Sequence, residues 1–169
     1  MIRILNADKT DQIIKYFKEQ KDNIFISNSL EYTLFNKPDA LRNMIFNGYI
    51  MPIALMHENI ILSLTLFNVE SLNESSRNIQ LLGGDIDKKF LKFSIAKIKE
   101  FLDELMICKV TVRADINDFE KCTKNFENQG YINELDIVIG SHRFIQKSIF
   151  LNKTDNCFVR NENELLSVD

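Results

Sequence analysis

Apolar and polar positions change period several times along the chain, and each change marks an element. Residues 2–6 (Ile-Arg-Ile-Leu-Asn) read as a short strand. From 8 to 20, Ile13, Ile14, Tyr16 and Phe17 line one side of a helix, with Asp8 or Thr10 as its N-cap. The mixed stretch 22–48 predicts one further helix, burying Leu41, Met44 and Ile45, with Pro38 near its start and Gly48 at its end. The period then drops to two. Segments 51–57 and 60–67 flank the polar turn His57, Glu58 and Asn59 as a hairpin, and Leu62, Leu64 and Leu66 alternate with Ser63 and Thr65. A polar loop at 71–76 leads to a third strand at 77–83, carried by Ile79, Leu81 and Leu82.

The clearest helical signal spans 87–105, where Leu91, Ile95, Ile98, Leu102 and Leu105 recur every three or four residues as one stripe. Residues 109–114 form a strand, 119–128 a short helix stopped by Gly130, and 132–139 with 143–151 a closing hairpin around Gly140, Ser141 and His142. Three consecutive strands favour an antiparallel meander. The strand–helix–strand step from 77 to 114 instead requires a parallel pair with a crossover. The expected fold class is therefore α+β: a mixed, mostly antiparallel seven-stranded sheet with helices on both faces. One domain fills residues 1–153, and 154–169 form a polar, acidic C-terminal tail.

Composition narrows the function classes. The 169 residues are 45% hydrophobic and 27% charged, which excludes a disordered, collagenous or coiled-coil chain. No apolar run reaches the roughly 18 residues that a membrane crossing needs. The tail, with Asp155, Glu162, Glu164 and Asp169 against Arg160, carries the whole net charge of −3, so residues 1–153 are neutral. A phosphate-backbone binder needs a basic surplus, and nucleic acid is not an expected partner. The 13 Phe, without Trp or interleaved basic residues, point to core packing. Three widely spaced cysteines and the lack of a secretory h-region fit reduced thiols in a cytoplasmic protein. Nothing near Cys122 would depress its pKa, and His57 and His142 have no metal-ligand partners at the required spacing. Hydrolase, zincin and P-loop motifs are missing from the sequence.

The order of strand, two helices, three strands, long helix, strand, short helix and two strands resembles the GNAT superfamily of acyl-CoA-dependent N-acyltransferases over residues 2–153. The best local match runs from Asn117 to Tyr131, where Phe126 precedes Gly130 and Tyr131 at the family's spacing after the strand that starts near Val110. The pyrophosphate loop is degenerate: Gly83 and Gly84 come early, and the window at 88–92 holds Phe90 and Leu91 among Lys88, Lys89 and Lys92. Many members carry a Tyr that protonates the departing thiolate, and Phe126 has no proton to give.

The resemblance implies a cleft between the strands at 77–83 and 109–114, which part at their C-terminal ends. Pantetheine would pair with the backbone of Leu81, Leu82 and Gly83, an N–H near Leu82 would polarise the thioester, and Asn117 and Phe126 would flank the thiol. The pyrophosphate would meet Lys88, Lys89, Phe90, Leu91 and Lys92. Lysines at the start of that helix and Glu100, Asp103 and Glu104 at its end oppose the helix dipole, an order explained by a bound anion or by a solvated face; Asp85 and Asp87 cap the same end. Glu70 and Glu74 are the candidate bases. Tyr131 is a substitute phenol or a core residue, and Phe25, Tyr32, Phe35 and Phe46 roof an acceptor groove or belong to the core. The expected function is N-acetyl transfer from acetyl-CoA to a small-molecule or peptide amine by direct attack. The alternative is a catalytically inactive GNAT-like ligand- or protein-binding module. The oligomeric state is open, a homodimer included.

Overall fold

The computed structural model describes residues 1–73, 76–85, 87, 89, 90, 93, 94, 96, 107–115 and 132–150. The chain opens with β1 (Ile2–Ile4), a 3-10 turn (Ala7–Lys9) and α1 (Thr10–Gln20). The 22–48 stretch holds more than the single helix expected there: β2 (Phe25–Ile26), α2 (Asn28–Asn36) and α3 (Pro38–Phe46). Pro38 sits in the first turn of α3, and Gly48 at φ +73 follows its last residues. The hairpin of β3 (Ile50–His57) and β4 (Ile60–Asn73) follows, then β5 (Ser76–Gly84), β6 (Ile107–Asp115), β7 (Ile132–Ile139) and β8 (His142–Phe150). β4 and β5 extend to Asn73 and from Ser76, so most of the expected polar loop at 71–76 is strand.

Seven strands make one continuous path, β1-β3-β4-β5-β6-β8-β7, and β2 adds an eighth on β5. All described pairings are antiparallel except β5 with β6. Alternation places Leu64 and Leu66 on one face of β4, packed with Ile13, Phe17, Leu30, Leu34 and Leu41 from the three helices. Thr65 on the opposite face approaches Ser94 at 3.4 Å, so the segment after β5 covers that side, where residues 89, 90, 93, 94 and 96 are helical. Helices therefore lie on both faces of the sheet. The rest of the 87–105 helix, the 119–128 helix and the 154–169 tail lie outside the described residues. Among the described residues no helix is long and apolar enough to cross a membrane.

Candidate functional site

The parallel ladder between β5 and β6 runs from Arg77 opposite Ile107 to Leu81 opposite Val112 and then stops. Both strands continue: β6 stays on β8 through Arg113, Ala114 and Asp115, while β5 stays on β4 through Gly83 and Gly84. The cause is local. Phe67 pairs with Leu81 and Leu66 with Gly83, so Leu82 is an extra residue in β5, a bulge. A bulge bends and twists the strand that carries it, and this one lies where the two strands part. The two strands thus part at their C-terminal ends, as the sequence resemblance implied, from Leu81 and Val112 onward.

The β5 side of that cleft has an occupant. Gly83 and Gly84 pair with β4 on one edge and with Ile26 and Phe25 of β2 on the other, the edge that β6 has just left. The Ser27 N–H donates to the Leu82 carbonyl at 2.9 Å. The two glycines are what lets three backbones converge. A Cβ on Gly83 would lie 2.8 Å from the Phe25 carbonyl oxygen, and one on Gly84 would lie 2.1 Å from that of Leu64.

Beyond Gly84 the acidic residues divide their work. Asp87 caps the following helix, its Oδ1 accepting the N–H groups of Lys89 and Phe90 at 3.0 Å each. Two of the free amides that an anion would use are therefore already bonded. Asp85 does not cap. Its carboxylate accepts from the Tyr16 hydroxyl at 2.5 Å and the Leu64 N–H at 2.8 Å, tying α1 and β4 to the end of β5. Burial, then the bond and charge of Asp85, push the Tyr16 phenol well above its ordinary pKa. Lys89 is exposed, and Phe90 turns its ring into the core. Lys88, Leu91, Lys92, Asn117, Phe126 and Glu74, with Tyr131 and Cys122, lie outside the described residues.

A row of polar side chains crosses the sheet on the α1–α3 face, where the apolar run Leu64 and Leu66 gives way to Asn68 and Glu70. Glu70 accepts from Asn68 at 3.1 Å and Asn78 at 3.2 Å; Thr111 donates to Asn78 at 2.9 Å and lies 2.9 Å from the Ser148 hydroxyl. Ser148 donates to Glu134 at 2.5 Å, and Glu134 also accepts from Gln146 and pairs with Lys109 at 3.0 Å. Burial alone would raise the Glu134 pKa. The bonds from Ser148, Gln146 and Lys109, with the lysine charge, outweigh it and hold the carboxyl below its ordinary value. Asn78, Thr111 and Ser148 are buried, so this row is part of the folded interior.

Glu134 and the row around it were not anticipated. Their signal was the placement of Asn78, Thr111, Glu134 and Ser148 inside otherwise apolar strands. His57 and His142 are exposed at the hairpin turns where they were expected. Of the four aromatics expected near an acceptor groove, Phe25 is buried in β2, Phe35 is half-buried, and Tyr32 and Phe46 are exposed. A cavity of about 560 Å³ lies away from the cleft, between Asn6–Asp8, the end of α3 and the start of β3. Nothing lining it belongs to β5 or β6.

Comparison with solved structures returns the same architecture. A probable acetyltransferase from Staphylococcus epidermidis superposes with a TM-score of 0.66 at 16% identity, over 90% of this chain and 99% of its own. A putative acetyltransferase of the GNAT family from Desulfovibrio desulfuricans gives 0.64 at 8%, over 90% and 99%. The fold is that of the GNAT acetyltransferases. A spermidine N-acetyltransferase variant from Vibrio cholerae shares this GNAT fold, at 0.62 and 12% over 89% and 94%. No family sequence model and no curated protein sequence matches the chain.

Proposed function

We propose that the protein transfers an acetyl group from acetyl-CoA to a primary amine. The observation that carries this reading is the parting of β5 from β6 at the Leu82 bulge, which ends the β6 pairing of that β5 edge beside a helix start. An extended chain bearing amides, such as pantetheine, pairs with such an edge. The N–H groups near Leu82 would stabilise negative charge on the thioester oxygen as the amine attacks. The C–N bond forms as the C–S bond breaks, and the amine nitrogen sheds its proton as CoA leaves as a thiol. No enzyme-bound acyl group is needed.

The start of the helix after β5, with Lys88, Lys89 and Lys92 and the backbone through Phe90 and Leu91, would take the pyrophosphate. Asn117 and Phe126 would flank the thiol. Glu70, half-buried between Asn68 and Asn78 on the face of α1–α3, would meet the acceptor's ammonium group, with Glu74 the other carboxylate nearby in sequence. Neighbours of the same fold are named for spermidine and aminoglycosides as acceptors, which supports an amine of that general kind.

The second reading, an inactive GNAT-like binding module, is favoured by one observation: Phe25–Ser27 and Asp87 already satisfy groups that the cofactor would use. Calorimetric titration with acetyl-CoA, followed by thiol release across an amine panel, decides between them. Binding with turnover supports transfer. Binding without turnover favours the module, and no heat at millimolar acetyl-CoA removes the transferase reading.

A further inference from the structure

We infer that residues 25–27 are a displaceable strand that closes the cofactor edge of β5, so that acyl-CoA binding is coupled to movement at the start of α2. The inference rests on the acetyl-CoA reading above and deepens it. Past the bulge, β5 presents one free edge to the cleft, and β2 already uses it: Phe25 opposite Gly84, Ile26 opposite Gly83, and the Ser27 N–H on the Leu82 carbonyl. A pantetheine chain and β2 cannot both bond the same carbonyl from the same side. One must leave for the other to pair.

The occupant is built to be exchanged. β2 is two residues long, and a strand this short is held by few hydrogen bonds, each of modest net worth. Its side-chain anchors are Phe25, which is buried, and Ile26, which packs half-buried against the core, and Ser27 opens directly into α2. Gly83 has no side chain to wedge β2 away, and its Cα faces the Phe25 carbonyl and Leu30 of α2. Freeing the edge therefore shifts the first turn of α2, and cofactor arrival would be felt on the helical face that carries the acceptor side of the cleft.

Ser27 has φ −68 and ψ 149, which proline adopts without strain. Ser27→Pro therefore removes the N–H that occupies Leu82 and puts a ring carbon against that carbonyl, which pushes β2 off the edge while φ and ψ at residue 27 stay allowed. Coenzyme A is the probe, with Ser27→Ala as the reference that loses the hydroxyl and keeps the N–H. Ser27→Pro should bind coenzyme A about threefold to tenfold tighter than that reference, the equivalent of one competing hydrogen bond. Hydrogen exchange on the unaltered protein gives an independent readout: saturating coenzyme A should speed exchange of the Ile26 and Ser27 amides. Binding accompanied by unchanged or greater protection of those amides overturns the strand exchange and leaves the acetyl-CoA reading standing. Binding seen only with Ser27→Pro supports it. No binding to either protein overturns both.

Discussion

Gly84→Ala tests the geometry on which the cleft depends. The added methyl carbon would stand 2.1 Å from the Leu64 carbonyl oxygen and 2.7 Å from the Thr65 Cα, both of them main chain of β4 with no rotamer to yield. Gly84 also has φ +120, where side-chain-bearing residues are rare. Backbone strain of this kind costs about 1–3 kcal/mol. Forcing a methyl into filled space costs about 1–3 kcal/mol more. A combined loss of about 4 kcal/mol is a large part of the roughly 5–15 kcal/mol that keeps a domain folded. For a chain of this size it lowers Tm by about 8–16 °C. Gly48→Ala is the matched control: φ is +73, but nothing lies within 4 Å of the new carbon, so only strain of about 1–2 kcal/mol applies. Urea unfolding of both variants, with m-values compared to confirm a two-state transition, measures the difference. If Gly84→Ala costs no more than Gly48→Ala, the close approach of β4 to the end of β5 is wrong.

Thr111→Val removes the donor to Asn78 in the middle of the polar row and should cost about 1–3 kcal/mol by chemical denaturation; a loss under about 0.5 kcal/mol contradicts the network. Glu134 has a lowered pKa in the fold, so its contribution is present above the ordinary glutamate value and is lost as pH falls through the lower folded one. Glu134→Gln should flatten that acid limb of stability. Tyr16 is the reverse case: its raised pKa keeps the phenol neutral in the fold while the unfolded chain ionises near pH 10, so stability should fall above about pH 10, and Tyr16→Phe should remove that loss. On the transferase reading, Glu70→Gln should lower kcat/KM about tenfold or more for a cationic amine while leaving the acetyl-CoA Kd within about twofold. Equal kinetics would detach Glu70 from the acceptor.

How far the sequence speaks depends on how many residues share a signal. The β3–β4 hairpin was legible because two apolar runs, 51–57 and 60–67, the second alternating at Leu62, Leu64 and Leu66, flank a polar turn, and α3 because Pro38, Leu41, Ile45 and Gly48 mark its start, face and stop. α2 was not, since only Leu30 and Leu34 are buried on it, and Tyr32 is exposed. β2 could not be read at all. Two residues carry no period, and what makes them a strand is the edge of β5, nearly sixty residues away in sequence. The polar row was hidden for a related reason: Asn78, Thr111, Glu134 and Ser148 look like interruptions of four separate strands until the pairing brings them into line. The parting of β5 from β6 was implied by the family resemblance, but not the bulge beside it, because an extra residue in one strand shows only against its partner.

The glycine pair shows why position in a motif and position in space must be argued separately. As a phosphate loop, Gly83 and Gly84 stand too early, and their spacing counts against anion binding at the helix start. In the fold they are the last residues of β5, one pressed by β2 and the other by β4. Their small size serves backbone convergence, not phosphate. Asp87 then takes two of the helix's first amides, so any pyrophosphate would have to compete with a carboxylate as well as draw on the lysines around it. Asp87→Asn separates these effects: it keeps a capping oxygen and removes the negative charge. If the lysines govern a diphosphate site, the change should tighten coenzyme A binding, and more so at low salt, where charge is least screened. It should barely alter Tm. An affinity that ignores both the charge and the salt would place the diphosphate away from this helix.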